Sequence, residues 1–174
     1  MLFTAIDIEL ANHQLSSICQ IGIAVFEDGE LVETWDSYID PVEDFSPFNT
    51  KLHGIDAWTV YQAPEKHEVI DILRDYLDGQ NVVSYGYFDR QAIYKNYPDL
   101  FHTHWYDVTS IVRKAWPQFA KGGFALNKMA DFLNITQEHH HDALDDAIVC
   151  GEILCEAIKV SGIPLEKWPH KIYP

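Results

Sequence analysis

Basic residues are scarce in this chain of 174 residues, which has 12 Lys and Arg against 27 Asp and Glu and a net charge of −15. A protein that holds long duplex nucleic acid is normally basic, because contacts to phosphates supply most of the affinity. The composition therefore leaves two alternatives. Either nucleic acid is not the partner, or the partner is short and is held by a site rather than by a broad basic surface.

A cysteine framework and a membrane-length apolar run are also missing. Cys19, Cys150 and Cys155 are an odd number without metal-ligand spacing, so we expect reduced residues of the core. The sequence has no positive segment followed by a cleavable apolar core, and no apolar run reaches the roughly 20 residues of a spanning helix. These absences predict a cytoplasmic protein with no membrane partner.

Repeats, linkers and low-complexity segments are absent too, and the length suits one domain. We therefore expect residues 1–174 to form a single domain. The part that carries the motifs described below is about 1–160, and 161–174 is a short C-terminal tail.

The order of the expected elements predicts an α/β protein. Three strands, at 2–10, 18–27 and 31–40, follow one another in meander order, with Asp28-Gly29 as a hairpin turn. Strand–helix alternation follows, so we expect a mixed five-stranded sheet flanked by helices. The later elements are a loop at 41–55, a helix from Pro64 to about Leu77, a strand at 81–85, a helix from Phe88 to Tyr97, a strand at 104–109 and helices at about 109–116, 125–133 and 142–159.

Two acidic residues interrupt the first apolar strand. Because side chains alternate along a strand, Asp7 and Glu9 project from one face, which also carries Phe3 and Ala5. Two like charges so close repel each other unless a cation lies between them, and hard divalent metals prefer such oxygen ligands. The sequence therefore predicts a metal site held by carboxylates.

Two later acidic residues could join that site. Asp89 directly follows a strand, and the carboxyl ends of strands are where sites gather in α/β sheets, although capping of the next helix is an alternative. Asp146 stacks with Val149, Cys150 and Ile153 beside the apolar stripe of the last helix. Its carboxylate is therefore expected to point into the protein, where an unpaired charge is costly.

The residues around Asp146 have simpler interpretations. Asp142 and Asp145 fit a helix cap followed by an acidic residue in the first turn. His141 precedes this helix and by itself would be a surface residue. We do not expect the run 139–141 of three histidines to bind a transition metal, because adjacent histidines should point in different directions and no further Cys or His lies at ligand spacing.

Taken together, these residues resemble a known family. Asp-x-Glu on a first strand, Phe-Asp after a later strand and His-x-x-x-x-Asp at the last helix resemble the DEDDh 3′–5′ exonucleases, the DnaQ-like group that includes polymerase proofreading domains. The segment 52–55 (Leu-His-Gly-Ile), followed by Ala63-Pro64, is similar to the family's connection before its first long helix. The resemblance covers about 1–160 and implies a ribonuclease H-like fold.

The resemblance also implies roles for the five motif residues. Asp7, Glu9 and Asp146 would hold one divalent metal, and Asp7 would reach a second that Asp89 helps to hold. His141 would be the general base for the attacking water. The implied cofactors are two Mg²⁺ (or Mn²⁺), and the implied reaction is hydrolysis from the 3′ end of single-stranded DNA or RNA with release of 5′-nucleoside monophosphates.

Other positions are candidate substrate contacts. Leu10, Ala11 and Asn12 occupy a stretch that in the family touches the terminal nucleotide, where many members have Thr in place of Leu10. Leu10 would wedge against a base or simply end the strand in the core. His53 would contact the end of the substrate or order its own loop by a hydrogen bond. Phe88, within the second motif, is a further candidate.

One segment, 113–128, reverses the charge of the chain, with four basic residues, no acidic ones and three aromatic ones. Single strands bind basic grooves with aromatic stacking, so this segment is a candidate substrate path. The alternative is an ordinary helix–loop–helix whose aromatic residues belong to the core. If it is a path, Arg113→Glu and Lys114→Glu weaken substrate binding without harming the fold.

Three functional hypotheses remain. The first is a metal-dependent 3′–5′ exonuclease on single-stranded or short nucleic acid, and the second an oligoribonuclease-like or RNA-trimming exoribonuclease. The third is a non-catalytic binding module on the same fold, against which the presence of all five motif residues argues. DNA and RNA differ in the 2′-hydroxyl, and the sequence does not identify its contacts. A homodimer, a polymerase association and the substrate length are equally open.

Overall fold

A computed structural model of the chain describes residues 1–98, 102–119 and 123–172. Its centre is a sheet of six strands in the order β3-β2-β1-β4-β5-β6. The strands are β1 Leu2–Leu10, β2 Ile18–Glu27, β3 Glu30–Tyr38, β4 Asn81–Ser84, β5 His104–Asp107 and β6 Lys171–Ile172. The helices are α1 Pro47–His53, α2 Ile70–Leu77, α3 Phe88–Asn96, α4 Val108–Ala115, α5 Leu126–Leu133 and α6 Ala143–Ser161, with short 3₁₀ turns at Pro117–Phe119 and Leu165–Lys167.

The sheet is mixed, as predicted. Strands β1, β2 and β3 pair antiparallel in meander order, whereas β4 and β5 run parallel to β1. The described residues contain a sixth strand, β6, which pairs antiparallel with β5 and corrects the expected five. It has only two residues, Lys171 and Ile172, and two residues carry no periodicity from which a strand could be predicted.

The segment after β3 departs most from prediction. The expected loop at 41–55 contains helix α1, in which the Ser46 hydroxyl caps the backbone N–H groups of Phe48 and Asn49. The Ser46-Pro47 pair was the sequence signal for this helix, because proline is favoured at the first helical position.

The predicted helix from Pro64 is also corrected, since α2 begins only at Ile70. Asp40 donates its backbone N–H to the Pro64 carbonyl (2.9 Å), and Asp40 and Glu65 form a parallel bridge. The backbone just after Pro64 therefore pairs with the chain that leaves β3 and cannot begin a helix there.

Two apolar layers enclose the sheet, as the alternation along β1 predicts. Phe3 and Ala5 pack in the layer that contains α6, where Phe3 stacks on Phe26, whereas Ile6 and Ile8 belong to the opposite layer. The three cysteines are buried. Within the described ranges, no helix combines the length and apolar character needed to cross a membrane.

Helix α6 lies unusually close to the sheet at its N-terminus. A Cβ on Gly22 of β2 would overlap the backbone of Ala143, so only glycine allows this approach. Gly151, two turns further along, likewise admits the ring of Phe26. This packing sets the position of the α6 N-terminus against the sheet, and it brings Asp146 close to the acidic residues of β1.

Candidate active site

Three carboxylates from β1 and α6 form the centre of the site. One oxygen each of Asp7, Glu9 and Asp146 lies within 4.8 Å of the others. Glu9 is 8% and Asp146 4% exposed. Both sequence arguments are confirmed here: strand alternation brings Asp7 and Glu9 to one face, and the helical position of Asp146 directs its carboxylate towards them.

Asp89 approaches the same centre from α3. Its side chain is 6% exposed, and one carboxylate oxygen accepts a hydrogen bond from the backbone N–H of Ile8 (3.2 Å). Ile8 lies between Asp7 and Glu9, so this bond ties the start of α3 directly to the acidic strand. The alternative role as a helix cap is wrong, because α3 has no side-chain cap and Asp89 lies within its first turn.

The Asp146 carboxylate is held by the loop before α6. Gln137 Nε2 donates to Oδ1 (2.6 Å), and the backbone N–H of His141 donates to Oδ2 (3.1 Å). His140 Nδ1 lies 3.3 Å from Oδ1. Sequence reasoning missed both Gln137 and His140, since neither is marked by periodicity or by the motif.

The N-terminus of α6 is anchored on the sheet by Gln20 of β2. The Asp142 side chain caps the helix by accepting from Leu144 and Asp145, which confirms the cap interpretation for Asp142. Gln20 Nε2 donates to Asp142 Oδ2 (3.0 Å), and Gln20 Oε1 accepts from the Ala143 N–H (3.2 Å). The only sequence signal for Gln20 was a polar residue within an apolar strand.

His141 faces the acidic cluster from the loop before α6. Its backbone has φ +71°, a left-handed conformation that is costly for a residue with a side chain. Its Nδ1 lies 3.7 Å from Glu9 Oε1. Burial and the neighbouring His140 lower the pKa of His141, while Asp146 opposes the shift. The ring is therefore favoured in its neutral form.

The expectation that adjacent histidines diverge is wrong for His140 and His141. Their rings stack with centroids 4.0 Å apart and planes 23° from parallel, and the left-handed backbone at His141 is the physical reason. Ligand atoms of both rings lie within 4.8 Å of one another and of Asp146.

Without a cation, burial and mutual repulsion shift the clustered acids towards their protonated forms. Burial, reinforced by the charges of Asp89, Asp146 and Glu9, raises the pKa of Asp7 well above its usual range. Burial and the Asp146 charge raise the pKa of Glu9 to about 8. Burial raises the pKa of Asp89 to about 7, although backbone N–H groups partly oppose this. Burial also raises the pKa of Asp146.

This donor set fits a divalent cation. It consists of hard carboxylate oxygens, mostly withdrawn from water and repelling one another, and a positive ion removes that repulsion. Asp7, Glu9 and Asp146 together can offer three ligand atoms to one ion. Asp89 keeps its second oxygen free of the bond to Ile8 and lies close enough to raise the pKa of Asp7 by its charge.

All five motif residues line one open cavity of about 490 Å³. Leu10, Asn12 and Phe88 also line it, so three of the predicted substrate contacts lie at the cavity. Sequence reasoning missed Phe48 and Leu52, which are one turn apart on α1 and add an apolar wall; Phe48 is 74% exposed. The sequence predicted a loop in place of α1, so it did not predict that these two side chains lie on one face of a helix.

The other predicted contacts lie away from the cavity lining. Ala11 is buried in a small core cluster. His53 makes the loop-ordering bond, since its Nε2 lies 3.1 Å from the Leu10 carbonyl and its Nδ1 accepts from the Ile55 N–H (3.0 Å). Arg113 and Lys114 lie on α4, outside this cavity.

Comparison with known proteins identifies the family of the chain. Residues 4–154 match the RNase_T family, described as exonuclease. The chain is 29% identical to DNA polymerase III PolC-type of Clostridium perfringens, over 87% of the chain and 11% of that protein. It is 25% identical to the 3′-5′ exonuclease DinG of Staphylococcus saprophyticus, over 98% of the chain and 20% of that protein. The chain thus spans about a tenth to a fifth of the length of these relatives.

A solved structure of Exonuclease X in complex with 5′ overhanging duplex DNA superposes with a TM-score of 0.77 at 20% identity, over 95% of this chain and 96% of that one. This likeness confirms the expected ribonuclease H-like fold, a mixed sheet flanked by helices. The matched range 4–154 includes all five motif residues. The chain therefore belongs to the RNase_T exonuclease family and carries the five motif residues described above.

Proposed function

We propose that this chain hydrolyses phosphodiester bonds from the 3′ end of single-stranded DNA or RNA and releases 5′-nucleoside monophosphates. The observation that carries the proposal is the convergence of four carboxylates and one histidine on a single open cavity. The name of the relative DinG, a 3′-5′ exonuclease, supports the direction. The DNA bound in the Exonuclease X structure supports a nucleic-acid substrate.

The cofactors in this proposal are two Mg²⁺ or Mn²⁺ ions. Asp7, Glu9 and Asp146 would hold one ion, and Asp7 and Asp89 would hold the second. Such ions would supply a lowered pKa for the attacking water and positive charge beside the attacking and leaving oxygens. The raised pKa values of these carboxylates reflect burial and the charges of neighbouring acids, and a cation between them would relieve that repulsion.

His141 serves as the general base that takes a proton from the attacking water. Its lowered pKa favours the neutral imidazole, which has a lone pair to accept that proton. Its backbone N–H donates to Asp146, so base and carboxylate keep a fixed relation. The resulting imidazolium lies 3.7 Å from Glu9, whose negative charge stabilises it.

The walls of the cavity hold the 3′-terminal nucleotide. Phe48, Leu52 and Phe88 are exposed apolar side chains that offer flat or branched surfaces to a base. Leu10 lines the same cavity, and its carbonyl accepts from Asn49 Nδ2 (2.8 Å). This bond joins α1 to the end of β1 and keeps the apolar wall beside the carboxylates.

An RNA-trimming or oligoribonuclease-like activity is the second candidate. It is favoured by the net charge of −15, which suits short substrates better than long ones. A non-catalytic binding module remains the alternative from another class. Association with a polymerase would follow the relative PolC, of which the chain spans 11%.

The test is a time course on 5′-labelled single-stranded DNA and RNA oligomers, with Mg²⁺, with Mn²⁺ and with EDTA. We expect a ladder that shortens from the 3′ end and disappears in EDTA, and the two rates rank the sugars. Asp7→Asn is the matched control for contaminating nucleases. Absence of cleavage of both polymers by a folded, metal-binding protein would reject the proposal in favour of the binding module.

A further inference from the structure

A second cavity, of about 230 Å³, lies beside the catalytic one and is lined by three basic side chains. Arg90 comes from the first turn of α3, Lys114 from the end of α4 and Lys171 from β6. The two lysines are exposed and Arg90 is half-buried. The whole chain has only 12 basic residues, so three in one cavity are a marked local concentration. We call this cavity the basic pocket.

The acidic side chain that lines the basic pocket, Asp107, has both carboxylate oxygens engaged in hydrogen bonds. It caps α4, accepting from the Thr109 N–H (2.9 Å), the Thr109 hydroxyl (2.6 Å) and the Ser110 hydroxyl (2.8 Å). Among the described residues, no carboxylate lies within ion-pair distance of Lys114 or Lys171. This strongly acidic protein therefore has two exposed ammonium groups that are available to an anion.

Aromatic rings accompany these cations. The guanidinium of Arg90 lies 4.8 Å from the Tyr87 ring centroid, and Lys114 Nζ lies 5.4 Å from the Trp168 ring. The Tyr87 ring is half-exposed. Cations beside an exposed ring are the combination by which proteins hold single strands, with phosphates on the cations and bases on the rings.

The basic pocket and the catalytic cavity share one edge of the sheet. Tyr87 lines the pocket and the next residue, Phe88, lines the catalytic cavity. Strands β1, β4 and β5 are parallel and adjacent, with β1 bearing the acids and Asp107 of the pocket ending β5. A strand that leaves the catalytic cavity past Phe88 therefore meets Tyr87 and then the three cations.

We propose that Arg90, Lys114 and Lys171 bind a phosphodiester group of the substrate strand, upstream of the bond that is cleaved. This inference rests on the proposed function and names the part of the substrate that sets its preferred length. Two steps between neighbouring strands separate β1 from β5, about 10 Å. The bound phosphate therefore belongs to one of the linkages just upstream of the 3′-terminal one.

Two neighbouring basic residues of α4, which were predicted together as substrate contacts, differ in their position relative to the pocket. Lys114 lines it, whereas the neighbouring Arg113 turns towards Phe124, whose ring centroid is 5.7 Å from the guanidinium. Part of the basic segment 113–128, namely 120–122, lies outside the described residues. The phosphate site is therefore assembled from α3, α4 and β6 and not from that segment alone.

The test compares two double variants in an Asp7→Asn background, which prevents cleavage. Lys114→Glu/Lys171→Glu reverses the pocket charges, and Lys95→Glu/Lys159→Glu makes the same charge change at exposed lysines elsewhere, on α3 and α6. Fluorescence anisotropy gives the Kd of a 5′-labelled 12-mer and of a dinucleotide in Mg²⁺ over a series of salt concentrations. Circular dichroism melting checks that each variant is folded.

We expect the affinity for the 12-mer to fall at least about tenfold in the pocket variant, because both ammonium groups that contact the phosphate are replaced by carboxylates that repel it. The salt dependence of its binding should also become shallower, by about 0.7 in log Kd against log salt for each phosphate contact that the variant removes. The advantage of the 12-mer over the dinucleotide should shrink accordingly. The control variant should keep that advantage.

A second arm locates the phosphate. Three 12-mers each carry one neutral methylphosphonate, at the second, third or fourth linkage from the 3′ end. The strand whose modification falls at the bound phosphate should bind more weakly than the unmodified strand to the Asp7→Asn protein. The same strand should bind the pocket variant as well as the unmodified strand does. Equal losses for 12-mer and dinucleotide, an equal effect of the control variant, or no loss at all would overturn the inference. A 3′ ladder from the wild-type chain in any of these cases would leave the proposed function standing.

Discussion

The catalytic cavity and the basic pocket lie on one edge of the sheet, yet their charged groups differ in sign and in burial. The acids Glu9, Asp89 and Asp146 are buried in one cluster, whereas Lys114 and Lys171 are exposed and form no ion pair with a described carboxylate. Buried like charges interact strongly and demand a cation, but exposed ammonium groups are screened by water and salt.

The difference predicts how each region responds to change. In the catalytic cavity, each acid alters the pKa of its neighbours, so one substitution changes the whole cluster. In the basic pocket, the cations act on a ligand one by one. Substitutions in the catalytic cavity should therefore abolish catalysis. Substitutions in the basic pocket should only weaken substrate binding, by an amount that grows with the number of cations removed.

The largest effect is expected for Asp7→Asn. This change removes a carboxylate shared by both proposed ions and should lower kcat by about 10³-fold or more, because metal ions supply several kcal/mol of transition-state stabilisation. The metal-free protein should melt at the same temperature or higher, since Asn is neutral at every pH and, unlike Asp7, needs no bound proton to avoid a buried charge beside the other acids. Steady-state kinetics and calorimetry in EDTA measure the two effects, and substantial residual turnover would contradict the role of Asp7.

His141→Ala should come next, lowering kcat by about 10²–10⁴-fold while Mg²⁺ still raises the melting temperature. The carboxylates that hold the ions remain, and only the proton acceptor is lost. His140→Ala is the matched control, because His140 stacks on the same ring and has no proposed role in proton transfer. An equal loss of activity in both variants would assign the effect to the local fold of the loop.

The sequence was a good guide to the acids because local periodicity governs them. Alternation in β1 orients Asp7 and Glu9, and helical phase orients Asp146. Gln20 and Gln137 could not be found in this way, since their partners lie across tertiary contacts. The basic pocket was missed for the same reason, because its three basic residues belong to three elements far apart in the chain.

A moderate effect is expected on stability without metal. Glu9 and Asp89 have pKa values raised to about 8 and about 7, so the folded state binds more protons than the unfolded state between about pH 4 and pH 8. Stability in EDTA should therefore fall as pH rises through this window, which thermal melting at a series of pH values measures. Excess Mg²⁺ should flatten the profile, because the cation replaces the protons. A flat profile in EDTA would contradict the raised pKa values that burial and the neighbouring acids give Glu9 and Asp89.

The smallest effect should separate Lys114→Glu from Arg113→Glu, two identical charge reversals at adjacent positions of α4. Lys114 lines the basic pocket, so its reversal should raise KM for a 12-mer several-fold with little change in kcat. Arg113 lies over Phe124, and its reversal should change KM by about twofold or less, through long-range charge alone. Raising the salt concentration should erase the Arg113→Glu effect first, because a distant charge is screened more than a direct contact. Equal increases in KM would contradict a defined phosphate pocket at Lys114. They would instead indicate that the whole segment 113–128 acts as a diffuse basic surface for the substrate.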